Sequence, residues 1–342
     1  SDTQTSASGF ISVTPLANYG NETLNGNVDA KSWLYNEADA ALTVDGTLSI
    51  NAGGLENKGT LNADKIKANA TTYNRAGGSI TTDLLTLGGN TTFFNDGDFT
   101  GAISASSYQQ EIVNNGGMTV TEDGKALMSG SFLLYNDAGA TLSNSGSAVA
   151  GGENTIVHVT RTSDSLSQVN SGTITATNGY SAITTASTDS NSNGKWIWNT
   201  ETGVINGINP NAPLINLGRG YNFANQGTIN VQGNNAVAIS GGSTSYIVNL
   251  VNSGTINVGT EQGQIDDTNG TGLIGIKGNG SKTTINNTAD GVINVYADNS
   301  YAFGGTTKAI INNGEINLLC DSGCGIYAPG TTYTNEDGAA DI

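Results

Sequence analysis

A short segment near the C-terminal end of the chain contains residue types that serve as nucleophiles in enzymes. It reads CDSGCG from Cys320, and places Ser322 between an aspartate and a glycine. A nucleophilic serine needs a histidine base and an acidic residue that orients this base. The single histidine, His158, is far away in sequence. We therefore expect no acyl-transfer chemistry and predict that the protein is not an enzyme.

A second candidate for chemistry is the one adjacent pair of aspartates, Asp266 and Asp267, in QIDDTNGTG. Hydrolysis of a polysaccharide needs two carboxyl groups that are spaced across the scissile bond. Nothing in the sequence places a carboxyl partner across such a bond, or the flanking His and basic motifs of pectin-degrading enzymes. We interpret it as part of a solvated loop, and polysaccharide degradation is the weakest of the functions considered.

Acidic residues recur at one position of an internal repeat and predict a protein-binding surface. Asp45, Asp64 and Asp83 each lie three residues beyond a large apolar residue, Glu122 lies one place further along its repeat, and Asp298 occupies a similar turn. Stacked repeats would place the first three about 4.8 Å apart in a column. The alternative is an ordinary solvated turn that keeps sheet edges soluble.

Basic and aromatic residues form a second candidate surface of opposite charge. Lysines and arginines fall shortly before several copies of the repeat, and three aromatic residues accompany them. The predicted glycosaminoglycan site consists of Lys195, Trp196, Trp198, Arg219, Tyr221, Lys277, Lys282 and Lys308. The alternative is dispersed surface cations beside tryptophans of the core.

The two cysteines, Cys320 and Cys324, flank a predicted turn between two strands. A disulfide between them would close a very short loop and add modest stability. A zinc site needs four ligands, so we favour the disulfide over a free or metal-binding pair. No metal and no other cofactor is predicted.

The composition excludes several classes of partner. The 342 residues include 48 glycines, 4 prolines, 12 Lys plus Arg and 29 Asp plus Glu, which gives a net charge of −17. Nucleic-acid binding requires many cations on one face, so we exclude it. No run of 18 apolar residues exists, and membrane attachment is therefore expected only through a segment outside this chain.

A repeated short phrase organises the chain. VNSGTINV at Val251 returns as VNSGTITA at Val169, ANQGTINV at Ala224 and INNGEINL at Ile311. Each copy begins at an asparagine, called here the anchor asparagine. The predicted anchors are Asn36, Asn57, Asn74, Asn95, Asn114, Asn136, Asn170, Asn199, Asn225, Asn252, Asn287 and Asn312, with an imperfect copy at Asn335. Their spacing is about 20 residues at first and longer after Asn136.

A large apolar residue follows each anchor, then a Thr, Ser or Asn, and then a small or apolar residue. This period-two alternation is typical of a strand with one buried face. Strands that return in the same register once per repeat, without helical periodicity, predict an all-β, right-handed parallel β-helix of about 12–13 rungs. We expect each anchor asparagine to mark a tight turn in a left-handed conformation and to bond its neighbours above and below.

These Gly- and Asn-rich repeats, the acidic charge and the scarcity of cysteine resemble the passenger domains of AIDA-type autotransporters. The resemblance covers nearly the whole chain, although many β-helical passengers share the motif. It implies a Gram-negative outer-membrane protein on the cell surface, anchored by a C-terminal β-barrel that this chain lacks. The opening SDTQTSASGF fits the start of a mature protein after removal of a signal peptide.

We therefore predict one β-helical domain over residues 1–342. Residues 1–30 would form a cap or first rung, 31–135 compact rungs, and 136–342 rungs with longer loops. The resemblance implies an adhesin that binds a matrix protein such as fibronectin on the acidic column and glycosaminoglycans on the basic residues. The rival hypothesis is self-association through the Thr and Asn ladders, leading to bacterial aggregation and biofilm.

Overall fold

The computed structural model describes residues 4–5, 11–13, 16–160, 166–186, 195–261, 270–327, 329 and 331–335. All regular secondary structure in these ranges is β-strand. Within them, no helix is long and apolar enough to cross a membrane.

Parallel pairing between successive repeats sorts the strands into three sheets, which wind into a right-handed parallel β-helix. The predicted fold is thus confirmed. Each turn of the helix, or rung, passes through sheet 1, which ends at the anchor asparagine, then sheet 2, and then sheet 3. The following bounds define the sheets.

Strands that belong to sheet 1 alone are Leu16–Asn18, Leu34–Asn36, Leu55–Asn57, Thr72–Asn74, Thr92–Asn95, Leu166–Asn170, Lys195–Asn199, Tyr221–Asn225, Val248–Asn252, Thr283–Asn287, Ala309–Asn312 and Thr332–Asn335. Those of sheet 2 are Asn21–Asn25, Gly117–Val120, Thr141–Asn144, Thr173–Ala176, Val204–Ile208, Thr228–Gln232, Thr255–Val258, Val292–Val295 and Glu315–Leu318. Those of sheet 3 are Ile11–Val13, Val28–Ala30, Thr155–Val159, Ser181–Thr185, Ile215–Leu217, Val237–Gly241, Ile274–Asn279, Tyr301–Thr306 and Gly325–Tyr327.

Five longer strands continue from one sheet into the next. They are Ala41–Ile50, Thr60–Ala68, Ser79–Leu87, Asp98–Asn114 and Met128–Asn136. The short strand Gln4–Thr5 pairs antiparallel with Ile11–Val13. Among the described residues, sheet 2 therefore contains thirteen rungs, in agreement with the predicted number.

The core is a stack of apolar side chains inside the coil. The large apolar residue after each anchor is buried, and each one pairs in register with its counterpart in the next rung. Leu42 opposes Leu61 at one end, and Ile293 opposes Ile316 at the other. The sequence alternation thus assigned the inward and outward faces of sheet 2 correctly.

The anchor asparagines form a continuous buried ladder. From Asn18 to Asn312, the side-chain Nδ2 of each anchor donates to Oδ1 of the anchor in the next rung, at 2.7–2.8 Å. Asn18 was not among the predicted anchors. The expected left-handed conformation is wrong for this set, because each anchor ends a strand and points inward. In the part of the chain that the structure describes, the non-glycine residues with positive φ are Asp39, Asn154, Asn178, Asn209, Asn235 and Asn299.

A glycine follows many of the anchor asparagines because the backbones of consecutive rungs approach closely there. A Cβ atom on Gly97 would overlap the carbonyl oxygen of Gly78 in the preceding rung, and one on Gly116 would overlap that of Gly97. Both glycines therefore pack directly against the backbone of the preceding rung. The repeated phrase therefore combines an asparagine for the ladder with a glycine for the approach of the backbones.

Candidate binding surfaces

The predicted acidic column exists and lines an open groove. Asp45, Asp64, Asp83 and Glu122 all contribute to it, and we call this set of residues the acidic groove. It runs along the corner between sheets 2 and 3. Its floor is the outer face of sheet 2, where the residues are Thr43, Asn62, Thr81 and Thr100.

Strand register explains why Asp64 and Asp83 align, and Asp45 lies beside them at a register shift between Val44 and Thr47. Thr82 and Leu84 pair with Ala63 and Lys65, so the aspartate between each pair stands next to the other. Neighbouring rungs are about 4.8 Å apart, and two unit charges at that distance repel by ~1 kcal/mol in water. All three aspartates are exposed, so water screens this repulsion. The column is therefore compatible with a stable fold and concentrates negative charge.

The column is interrupted in the rung after Asp83. Gly101 occupies the corner there with a φ of 143°, and a side chain on it would overlap the carbonyl oxygen of Thr82. The groove then continues to Glu122. The backbone carbonyl of Glu122 accepts a hydrogen bond from the buried Tyr180 hydroxyl at 3.2 Å. The Glu122 carboxylate lies 3.8 Å from Nζ of Lys125.

Burial raises the pKa of the Tyr180 hydroxyl, and the nearby charge of Asp123 acts in the same direction. Tyr180 belongs to a later rung than Glu122. Its hydrogen bond thus ties the Glu122 end of the acidic groove to a turn two rungs later.

Asp298 lies outside the acidic groove. Its Oδ1 accepts hydrogen bonds from the backbone amides of Asp321 and Ser322, at 2.9 and 3.0 Å. These residues belong to the turn closed by a disulfide between Cys320 and Cys324, whose Cα atoms are 6.3 Å apart. The disulfide was predicted, but Asp298 supports this turn and does not extend the acidic column.

Two members of the predicted glycosaminoglycan site are interior residues. Lys195 is only 6% exposed and Tyr221 is fully buried. They pair in register, and Nζ of Lys195 lies 6.0 Å from the centre of the Tyr221 ring. The prediction of these two residues as surface contacts is wrong, because both positions face into the coil at the start of their sheet 1 strands. Trp196 and Trp198 are half-buried on the outer face, with ring centres 5.7 Å apart.

Three of the predicted cations do share a corner of the rod. Arg219, Lys282 and Lys308 are exposed in the turns that lead from sheet 3 into sheet 1, and we call them the basic corner. The turns at 218–220, 242–247, 280–282 and 307–308 contain no Asp or Glu. The Arg219 guanidinium lies 5.9 Å from the Tyr246 ring. Lys277 is half-buried on the neighbouring outer face of sheet 3.

The residues considered for catalysis are widely separated. His158 lies in sheet 3, where its Nδ1 is 2.8 Å from Oγ1 of Thr184. Ser322 lies in the disulfide turn, six rungs further along, which corresponds to about 29 Å at 4.8 Å per rung. They cannot act together on one bond. Asp266 and Asp267 lie outside the described residues.

Sequence reasoning missed a surface on the outer face of sheet 1. The residue before each anchor asparagine points outward, and most of these residues are apolar or aromatic. The signal was present in the sequence, one position before each anchor. Within this set the rings of Tyr73 and Phe94 stack, with their centres 5.0 Å apart.

Comparison with known proteins places the chain in a family. The model of the family described as the BigA fourth domain matches residues 39–323. The chain is also 73% identical, over 347 aligned residues, to the "Putative surface-exposed virulence protein BigA" of Salmonella typhimurium (strain LT2). That alignment covers 100% of the chain and 18% of the relative, so the chain spans less than a fifth of its length.

No solved structure matches the chain. The family model covers most of the sequence, including the rungs that carry the acidic groove and the basic corner. The chain belongs to the BigA fourth domain family.

Proposed function

We propose that this chain is a non-catalytic adhesive segment displayed on the bacterial surface, comparable to the passenger of an AIDA-type autotransporter. The rod-like β-helix supports this proposal, because it offers long faces of repeated side chains rather than an enclosed pocket. The name of the Salmonella relative, which describes it as surface-exposed and related to virulence, supports the location.

The observation that carries the proposal is the acidic groove. Four carboxylates from four rungs line one open channel, above a floor of Thr and Asn side chains. Such a channel fits an extended basic segment of a protein, or the donors of an exposed strand edge. Matrix proteins such as fibronectin are the proposed partners.

Binding in the acidic groove would depend on several weak contacts made together. An exposed ion pair contributes about 0–1 kcal/mol, so loss of one carboxylate should change affinity little. Several such contacts along one rigid channel act together. We therefore expect a combined substitution to have a much larger effect than any single one.

The test replaces Asp45, Asp64 and Asp83 by Asn and Glu122 by Gln, which keeps side-chain size. A matched control carries Asp137→Asn, Glu201→Gln, Asp290→Asn and Glu315→Gln, four exposed positions outside the groove with the same change of net charge. Capture by immobilised fibronectin is measured by surface plasmon resonance. The groove variant should lose capture and the control should keep it. Equal binding by both variants would remove the acidic groove from the proposal.

The basic corner supports a second ligand, a polyanionic glycosaminoglycan. In a chain with a net charge of −17, three exposed cations along one corner without an acidic residue in its turns form a local positive surface. The proposed contacts are Arg219, Lys282 and Lys308, with Lys277 beside them. Binding should be weak and should decrease steeply with salt concentration.

The corresponding test replaces Arg219, Lys282 and Lys308 by Gln and measures binding to heparin. The control carries Gln at Lys31, Lys65 and Lys67, three exposed lysines of the first rungs. Heparin binding should be lost in the first variant and retained in the second. A parent chain that does not bind heparin, or a corner variant that binds as well as the parent, would refute this ligand.

A further inference from the structure

The outward-facing residues of sheet 1 form a single column along the rod. Each one precedes an anchor asparagine, and register places them directly above one another. We call this set the apolar column, since ten of its twelve members are apolar or aromatic. It consists of Tyr35, Glu56, Tyr73, Phe94, Val113, Tyr135, Val169, Trp198, Ala224, Val251, Asn286 and Ile311, of which Ala224 is buried.

The fold itself does not require apolar residues at these positions. The equivalent outward column of sheet 2, from Thr43 to Asn317, contains only Thr, Ser and Asn. Members of both columns are mostly half-exposed, so the two faces meet solvent to a similar degree. A long apolar stripe on a surface that could be polar indicates a face that another molecule covers.

The charged residues beside the apolar column are already paired with one another. Oε1 of Glu56 lies 3.6 Å from Nζ of Lys58 and 3.4 Å from Nε of Arg75. The Arg75 guanidinium also lies 4.2 Å from the centre of the Tyr73 ring. The hydrogen bond to Glu37 raises the pKa of Lys58. Covering the face over these first rungs would therefore bury charges that already have partners.

The dimensions of the face match those of a stable protein interface. Twelve residues in register span eleven rung spacings, or about 53 Å at 4.8 Å each. A second outward column of sheet 1, which includes Thr92, Glu111, Trp196 and Asn249 and is more polar, lies about 7 Å from the apolar column. The two columns together give a face roughly 13 Å wide. Each copy could then bury ~700 Å², and a pair ~1,400 Å², which lies within the usual range for specific complexes.

We propose that the apolar column is the interface between two copies of this chain, packed face to face through sheet 1. A narrow, straight stripe needs a partner of equal length and flatness. A second copy provides one, whereas a globular partner would contact only a few rungs. Such an interface is self-complementary, as expected for a two-fold dimer.

The proposed dimer leaves the acidic groove open. The groove lies at the corner between sheets 2 and 3, which is the corner opposite to sheet 1. Two acidic grooves on one particle would provide two binding sites for a repetitive ligand. The dimer does not depend on the proposed ligands, and its test involves none of them.

The experiment is sedimentation velocity of the chain across a wide concentration range. The variant Val113→Lys, Tyr135→Lys, Val169→Lys places three charges on consecutive rungs of the apolar column. The matched control, Thr119→Lys, Ser143→Lys, Thr175→Lys, places the same charges on sheet 2 of the same rungs. The parent and the control should be dimers, and the sheet 1 variant should be a monomer.

A milder variant, Tyr135→Ser with Val169→Ser, removes apolar surface without adding charge and should raise the dimer Kd by ~10-fold or more. A monomeric parent would overturn the proposal, as would a sheet 1 variant that remains dimeric. Loss of the dimer in the control alone would assign self-association to the Thr and Asn ladder of sheet 2. If both lysine variants lost the dimer and the serine variant kept it, the added charge would explain the loss. That outcome would also contradict the proposal.

Discussion

The early and late rungs of this β-helix differ at one corner, between sheets 2 and 3. In the early rungs a single strand crosses the corner, as in Thr60–Ala68 and Ser79–Leu87. In the late rungs two separate strands meet there at a turn, as between Thr173–Ala176 and Ser181–Thr185. The core, the anchor ladder and the order of the sheets are the same in both regions.

The early and late corners change the direction of the backbone in different ways. The crossing strands keep ladder hydrogen bonds nearly to the corner, and a glycine such as Gly101 absorbs the change in direction. The late turns use asparagines with positive φ, such as Asn178 and Asn209. Asparagine tolerates this conformation better than most residues, so these turns can be longer.

The difference decides where a ligand could bind. The tight early corner leaves the outer face of sheet 2 open and places the acidic groove beside it. The late turns project from the same corner, and the first of them ends the groove at Glu122. A rod with an invariant core can thus change its binding surface by changing only the length of one corner.

The largest effect is expected at a feature that the two regions share. Replacing an anchor asparagine by alanine, at Asn57 or Asn252, leaves buried polar groups of the ladder without a partner. Each substitution should lower the free energy of unfolding by about 2–4 kcal/mol. Urea unfolding should give similar losses in both regions, while Asn257→Thr on the outer face of sheet 2 should be nearly silent. Clearly unequal losses would show that the ladder is not equivalent along the rod.

The corner glycines should respond differently in the two regions. Gly101→Val forces a side chain into the carbonyl oxygen of Thr82 and should cost about 2–4 kcal/mol. Gly151→Ala lies in a late turn where a Cβ meets no atom within 4 Å, so only its φ of 78° is unfavourable, at about 1 kcal/mol. Thermal unfolding of both variants measures the difference. Equal costs would mean that the early corner is less tightly packed than the structure shows.

Inserting a loop at the corner between sheets 2 and 3 of an early rung should make that corner resemble the corner of a late rung. Insertion of a flexible Gly- and Ser-rich loop between Asp83 and Leu84 should change stability by less than about 1 kcal/mol, because loop entropy grows slowly with length. The loop should nevertheless block the acidic groove and abolish fibronectin capture. The same loop inserted at Gly151 is the control and should leave capture unchanged. Capture by the first variant would show that the groove is not the contact.

The smallest effect concerns the turn that ends the groove. Because burial raises the pKa of Tyr180, the neutral hydroxyl is favoured in the folded chain. Its contribution to stability is complete below the pKa of an unfolded tyrosine, about 10, and decreases as pH rises above it. Urea unfolding from neutral to alkaline pH should show this decrease in the parent and a smaller one in Tyr180→Phe. Identical pH profiles would contradict the raised pKa.

The periodic part of the structure follows from local patterns in the amino-acid sequence. The alternation after each anchor assigned the buried residues of sheet 2, because side chains in a strand alternate between two faces. The repetition of that pattern predicted parallel stacking, and the repeated asparagine predicted hydrogen bonds between rungs. The alignment of Asp64 and Asp83 followed from the same register.

Properties that depend on how the coil closes are set by packing between residues that are distant in sequence. Lys195 and Tyr221 were predicted to be surface residues. Each begins a strand of sheet 1, and the position of that sheet in the coil turns both side chains inward. Asp298 resembled the acidic column in sequence, yet its carboxylate accepts hydrogen bonds from backbone amides of the disulfide turn. Corner geometry depends on contacts between consecutive rungs, which are about 20 or more residues apart in the chain, and no local pattern encodes those contacts.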